Sequence, residues 1–352
     1  MRFLVLLATT VSAASWFDSP GLAPRLLAPP APVHGVRLVV DLPADVPPDL
    51  IAAASRVGHG AMMSKLDRSR GDSFAFGVIG DAEPGRFWFQ RLLNPGDHAF
   101  ADQWRSIQKT GIDFTLQLGD FVSLGDVDHY RQHVELLERN MTAPVFHCIG
   151  NHDRSTPNGG AHTILYESVF GPRNYYFDYG GWRFVSLDTS YRKLTPPQLL
   201  WLKYALSAPG PKVVFTHVPP AYLKGLKPLE EVQSSDPAII RVSLPEESNS
   251  FLNDFFTNYF EDGAGEFEEL VSQSGVKAVY MGHIHAFWAA DHRGVRYIIS
   301  GGGGSPLYNP LPPGYPKKHF AHSLRVKAGP GGLEETVIPL TGQPFVLPPV
   351  KP

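Results

Sequence analysis

Five apolar runs in this chain end on a similar polar punctuation. FAFGVIGD (74–81) and FTLQLGD (114–120) both close on Gly-Asp, and APVFHCIGNHD (143–153) closes on Gly-Asn-His-Asp. KVVFTH (212–217) closes on Thr-His, and KAVYMGHIH (277–285) on His-x-His. Short β-branched and aromatic runs bounded by Gly and Pro predict buried strands. Between them, apolar residues recur at helical spacing in residues 98–110, 126–140, 194–207, 250–260 and 266–274. The third of these opens on Thr195-Pro196-Pro197-Gln198, a capping pattern with Pro in the first turn. Hairpin-like pairs at 175–188, around Gly180-Gly181, and 287–300, around Arg293-Gly294, interrupt the alternation. Strands alternating with helices predict an α/β layered domain, and the added hairpins make its sheets mixed.

The N-terminus is patterned differently. MRFLVLLATTVSAAS has one basic residue, a short apolar stretch and then small residues, which predicts a signal peptide over 1–14 and a secreted or periplasmic protein. The apolar run is shorter than the ~20 residues that span a bilayer, and no later segment is long enough, so no transmembrane segment is expected after cleavage. Residues 15–35 read as a Pro-rich linker and 36–72 as an N-terminal extension that includes a short strand, VRLVVDL. The main domain is expected over 73–340, with 341–352 as a C-terminal tail.

With 352 residues the chain can bury a full core, and its formal net charge of −3 leaves no basic footprint for nucleic acid. The lone cysteine, Cys148, excludes an intramolecular disulfide and reads as a buried strand residue.

Open α/β sheets place their sites at the carboxyl ends of strands. Here those ends supply Asp81, Asp120, Asn151, His152, His217, His283 and His285. Carboxylates, a carboxamide and neutral imidazoles suit a pair of borderline divalent metals. Each residue taken singly also fits an ordinary turn or cap; the ordered set does not follow from turn preferences.

In this order the motifs GDAE (80–83), LGD (118–120), GNHD (150–153), TH (216–217) and GHIH (282–285) resemble the calcineurin-like metallophosphoesterase superfamily, over residues 73–340. The resemblance implies a four-layer αββα sandwich of two mixed β-sheets flanked by helices. It implies two divalent metal ions, with Mn, Zn, Fe or Mg all open, and a small phosphorylated substrate. Asp81 and His285 would bind the first ion, Asp120 would bridge, and Asn151, His217 and His283 would bind the second. His152 would face the substrate with Asp153 orienting its ring, and Arg154 would offer its fork of donors to phosphate. Ion-activated water would hydrolyse a phosphate mono- or diester.

The family's first motif usually ends in His, where this chain has Glu83. Glu83 either supplies a hard oxygen ligand, favouring Mn or Mg, or points away and leaves the first site weak. The second case allows an alternative, a degenerate binding or scaffold protein on the same fold. Redox-active purple acid phosphatases carry a Tyr three residues after the Gly-Asp aspartate; Ser123 stands there, which argues against that branch.

Other polar positions read as background: Asp126, Asp128, His129 and His133 as a solvated helix face, His147 as packing, Asp188 as a strand-end cap. The run SGGGGSP (300–306) reads as a sharp turn that brings backbone close to the site. Residues 219–250 are long enough for a lid or binding edge, and 308–322 for a substrate-side wall with Lys317, Lys318 and His319.

Overall fold

The computed structural model describes residues 46–82, 96–154, 162–229, 259–305 and 320–350. The signal and linker segments, Glu83, residues 230–258 and the stretch holding Lys317, Lys318 and His319 lie outside these residues. No helix among the described residues is long and apolar enough to cross a membrane.

Two six-stranded mixed sheets form the centre of the molecule. The first contains β1 (Phe74–Ile79), β2 (Phe114–Gln117), β3 (Val145–His147), β10 (His322–Gly329), β11 (Gly332–Pro339) and β12 (Phe345–Val346), in the order β12-β11-β10-β1-β2-β3. The second contains β4 (Tyr175–Tyr179), β5 (Trp182–Leu187), β6 (Lys212–Thr216), β7 (Val276–Met281), β8 (Phe287–His292) and β9 (Val295–Ser300), in the order β4-β5-β6-β7-β9-β8. β1, β2 and β3 run parallel, as do β5, β6, β7 and β9. Their carboxyl ends therefore gather at one edge of each sheet.

Helices cover the outer faces. Against the first sheet lie α1 (Pro48–Val57), α2 (His59–Ser64), α3 (Gly96–Gln108), α4 (Val127–Asn140) and α5 (Ile164–Val169). Against the second lie α6 (Pro196–Ala205) and α7 (Ala264–Gln273). The Asp126 side chain caps α4 by accepting from His129 N at 2.9 Å, and Thr195 and Gln198 form the reciprocal capping box expected at α6.

The sheets meet through aromatic side chains. Phe76 on β1 lies edge-on to Phe184 on β5 at 5.2 Å, Phe114 on β2 meets Phe177 on β4 at 5.4 Å, and Phe146 on β3 stacks on Phe177 at 4.0 Å. Each buried Phe stabilises the fold by about 1.5–3 kcal/mol, so this seam fixes how the strand ends of the two sheets face each other.

The domain boundaries differ from the expectation. Leu50, Ala53, Val57 and Met62 are buried in the core, so described residues of the extension are an integral layer. At the other end, β10 and β11 form a hairpin beside β1, and β12 lies within the expected tail. Arg296, fully buried on β9, pairs with Asp291 and donates to the Pro348 carbonyl at 2.8 Å, which ties down the segment after β12.

His133 is a further correction. It faces inward from α4, buried against His147 with their Nε2 atoms 3.1 Å apart. Cys148 is fully buried, as expected, and burial pushes its thiol well up.

Candidate metal centre

Three of the strands that carry candidate ligands, β1, β2 and β7, end in a sharp backbone turn. Asp81, Asp120 and His283 all adopt left-handed φ values of 57, 48 and 70°. This region is sparsely populated for residues with a Cβ, and Asp and His tolerate it better than most. Such strain persists where surrounding contacts over-determine it. The turn after β7 shows how: Ile284 N donates to Gly282 O at 2.8 Å and Ala286 N to Ile284 O at 2.6 Å. The chain therefore bends instead of continuing as a strand, and His283 and His285 need not point to opposite faces.

Asp120, His217 and His283 come together, each offering a ligand atom within 4.8 Å of the others. His217 Nε2 is 3.1 Å from Asp120 Oδ2 and 3.1 Å from Asn151 Oδ1, so the carboxamide joins the same group. The other ring nitrogen, Nδ1, sits 2.8 Å from the Leu118 carbonyl, which orients Nε2 toward the cluster. A ring fixed through its second nitrogen is how metal-ligating histidines are held.

The second group lies beside the first. His285 Nε2 is 3.6 Å from Asp81 Oδ1. Gly282 separates the two groups, and a Cβ there would lie 2.5 Å from Asp81 Oδ2 and 3.2 Å from His217 Nδ1. Only glycine fits between them. The glycine run after β9 also approaches: a Cβ on Gly301 would stand 3.0 Å from Asp81 Oδ2, and Ser305 N donates to the Asp81 carbonyl at 2.9 Å. From α3, Gln103 Nε2 bonds the carbonyls of Gly302 and Gly303 at 2.9 and 3.0 Å and so fastens this run in place.

The electrostatics of the first group centre on its one carboxylate. Burial would raise the Asp120 carboxyl, but the rings of His217, His152 and His283 hold it well below the usual carboxylate range. Burial would lower His217, but Asp120 raises it to about 9. Burial, with the His217 charge, holds His283 well below the ordinary histidine value. Its Nε2 is buried with no hydrogen-bond partner among the described residues. A buried carboxylate, a carboxamide oxygen and an imidazole nitrogen without a proton to share fit a borderline divalent ion.

His152 and its neighbours depart in part from the expected roles. His152 Nε2 lies 4.0 Å from Asp120 Oδ2, at the partly exposed rim of the group. Its Nδ1 is 3.1 Å from the Ser123 carbonyl, which sets the ring instead of Asp153. The Asp153 carboxylate accepts from the backbone N–H groups of Gly150, Asp120 and Val122 at 2.7, 2.9 and 3.2 Å. It thus joins the loop after β3 to the loop after β2. Arg154 is buried, donates to Ser190 Oγ at 2.5 Å and lies 3.0 Å beneath the Tyr191 ring. Its guanidinium braces the loop after β5. Asp188 accepts from Ser190 N and from Arg173 at 2.9 and 2.7 Å, capping the strand end as expected.

The comparisons with known proteins agree with this layout. The calcineurin-like phosphoesterase family matches residues 75–287. Among solved structures, the purple acid phosphatase PPD1 from yellow lupin (Lupinus luteus) is 16% identical with a TM-score of 0.54, over 80% of this chain and 54% of that one. This chain thus spans about half the length of that relative. A dimetal phosphatase from Danio rerio is 13% identical with a TM-score of 0.47, over 78% of this chain and 98% of that one. GAP50, the anchor in the inner membrane complex of Plasmodium, shows the same identity and TM-score over 78% and 88%. No curated protein matches the sequence. Because the family match runs without a break from the first strand of one sheet to the histidine-bearing turn of the other, the chain belongs to the calcineurin-like phosphoesterases.

Proposed function

We propose that this protein is an exported, metal-dependent phosphoesterase that hydrolyses a phosphate mono- or diester at a dinuclear centre. The observation that carries the reading is the convergence of Asp120, His217 and His283 within 4.8 Å, with His283 Nε2 buried and without a hydrogen-bond partner among the described residues. Asn151 joins this group, and Asp81 with His285 forms its neighbour across Gly282. In this reading Asp120 would serve both ions, Asp81 and His285 would hold the first and Asn151, His217 and His283 the second, and Glu83 would complete the first site or leave it open. Bound cations would polarise the phosphoryl group and lower the pKa of water, the two contributions such hydrolysis requires.

The protein's own residues supply position and protons. His152, at the accessible rim and held through Nδ1 by the Ser123 carbonyl, would turn its Nε2 edge, 4.0 Å from Asp120 Oδ2, to a phosphoryl oxygen or the leaving group. Asp153 keeps the loops carrying Asp120 and Asn151 at a fixed separation through its three backbone contacts. Export rests on the pattern of the first fourteen residues.

The test combines metal analysis with turnover. Protein reconstituted with Mn, Zn or Fe should bind two equivalents and hydrolyse generic aryl phosphate mono- or diesters. Asp120→Asn should keep the fold by circular dichroism and lose turnover. Retained turnover in that variant refutes the assignment, and failure to bind metal after reconstitution favours a scaffold role.

A further inference from the structure

Arg192 carries a charge to which the described part of the fold gives no counter-ion. The chain leaves β5 through Asp188 and turns at once, with Arg192 N donating to Thr189 O at 2.8 Å. Thr189 fastens this turn beside the metal centre. Its Oγ1 is 2.8 Å from Thr216 Oγ1 and accepts from Val218 N at 2.8 Å, on either side of the ligand His217.

Arg192 itself sits at φ 56°, the left-handed region that long side chains rarely adopt. The strain is not offset by a salt bridge. Among the described residues no carboxylate pairs with Arg192, and its Nε is buried without a hydrogen-bond partner. Arg173, Arg183 and Arg296 by contrast each pair with a carboxylate. A half-buried guanidinium without a partner loses hydration and gains nothing in return, unless a ligand completes it. Through Thr189 its turn is bonded to Thr216 and Val218, the two chain neighbours of His217, which sets Arg192 beside the candidate centre.

A guanidinium beside bound cations is stabilised when an anion lies between them. We propose that Arg192 is a substrate-binding residue, its guanidinium taking a non-bridging oxygen of the phosphoryl group opposite the ions held by Asp120, His217 and His283. The planar fork of Arg suits two oxygens of one phosphate. Arg154, which the motif order suggested for this task, donates to Ser190 and lies beneath Tyr191, so it braces the turn that carries Arg192. The inference rests on the phosphoesterase reading for its substrate, but the anion site is testable apart from it.

The experiment titrates inorganic phosphate into Mn-loaded protein by calorimetry and measures aryl phosphate turnover in parallel. Arg192→Gln should weaken phosphate about tenfold or more, as expected for a lost charged hydrogen bond, and Arg192→Lys should recover part of it. Arg192→Gly, free of the backbone strain, should melt no lower than the parent protein yet bind phosphate as poorly as Arg192→Gln. Phosphate binding by Arg192→Gln within twofold of the parent, or no phosphate binding by the parent, overturns the proposal. A marked fall in Tm for Arg192→Gly also overturns it, by showing a structural role. Phosphate binding that depends on Arg192 in a protein without turnover would uphold the anion site and refute the phosphoesterase reading.

Discussion

The backbone N–H of His283 donates to both carboxylate oxygens of Asp81, at 2.9 and 3.0 Å. Asp81 follows β1 in one sheet and His283 follows β7 in the other, so this contact joins the two sheets at the site. It also sets the left-handed turn from which the His283 ring reaches Asp120 and His217.

Asp81→Ala removes a candidate ligand and this clamp together. The expected outcome is fewer bound Mn ions per chain and a loss of about 1–3 kcal/mol in stability, the cost of leaving a buried donor unpaired. Metal analysis and guanidinium unfolding measure the two effects. Unchanged metal content would remove Asp81 from the centre.

Asp153→Asn replaces one of two acceptor oxygens with an NH2 group that faces backbone N–H donors. Gly150, Asp120 and Val122 cannot all remain satisfied, and a loss of about 2 kcal/mol or more follows. Because the two ligand loops then separate, metal affinity should fall as well. If Asp153 merely tuned His152, the variant would shift the pH profile of turnover and leave the melting temperature in place.

Three buried histidines behind the site should make the fold sensitive to mild acid. Burial brings His59 and His133 down to about 3, and burial with the nearby His133 and His59 rings holds His147 well below its ordinary value. The titratable side chains packed against them, Tyr166 and Tyr175, are pushed upward by burial and neutral in this range. Since the native pKa values lie below the unfolded value, the unfolded chain binds more protons. The stability contribution is complete above about pH 6.5 and declines as pH falls toward 3. Each histidine should cost about 2 kcal/mol between pH 6.5 and 5, at roughly 1.4 kcal/mol per unit. Guanidinium midpoints at pH 7.5 and 5 test this, with His59→Phe expected to flatten the dependence. A midpoint that does not move with pH would show that the rings ionise without unfolding.

Removal of residues 344–352 should destabilise the core although it is remote from the candidate metal centre. It exposes the surface covered by Phe345 and Leu347 and takes the Pro348 carbonyl from Arg296, whose remaining partners are Asp291 and Glu335. The two apolar side chains alone contribute about 1.5–3 kcal/mol each. Thermal unfolding would detect the change, and a melting temperature within a degree of the parent would show that this segment does not hold the sheet edge.

The strand-end motifs were legible because a buried parallel strand needs a short apolar run, and the residue that follows it must turn toward the sheet edge. Phe74–Ile79, Phe114–Gln117 and Val276–Met281 obey that rule, and the family match confirms the superfamily those motifs implied. The hairpin of β10 and β11 was not foreseen, although Leu324, Val326 and Ala328 alternate with Arg325 and Lys327 before the turn at Gly329–Gly332. Its pairing with β1 is a contact between residues some 250 positions apart, as in Phe74 with Ala328, and no local pattern encodes such a partner.

Residue types and their order along the chain thus determined which side chains were available to hold cations and at which edge of a layered fold they would emerge. Tertiary structure alone decided what each does there. Whether Asp153 meets a ring or three backbone amides, whether His133 faces water or His147, and whether Arg154 faces the site or braces Ser190 and Tyr191 all depend on distant segments brought together by packing. Hydrogen bonding and desolvation act over a few ångströms of space, and sequence separation does not measure that distance.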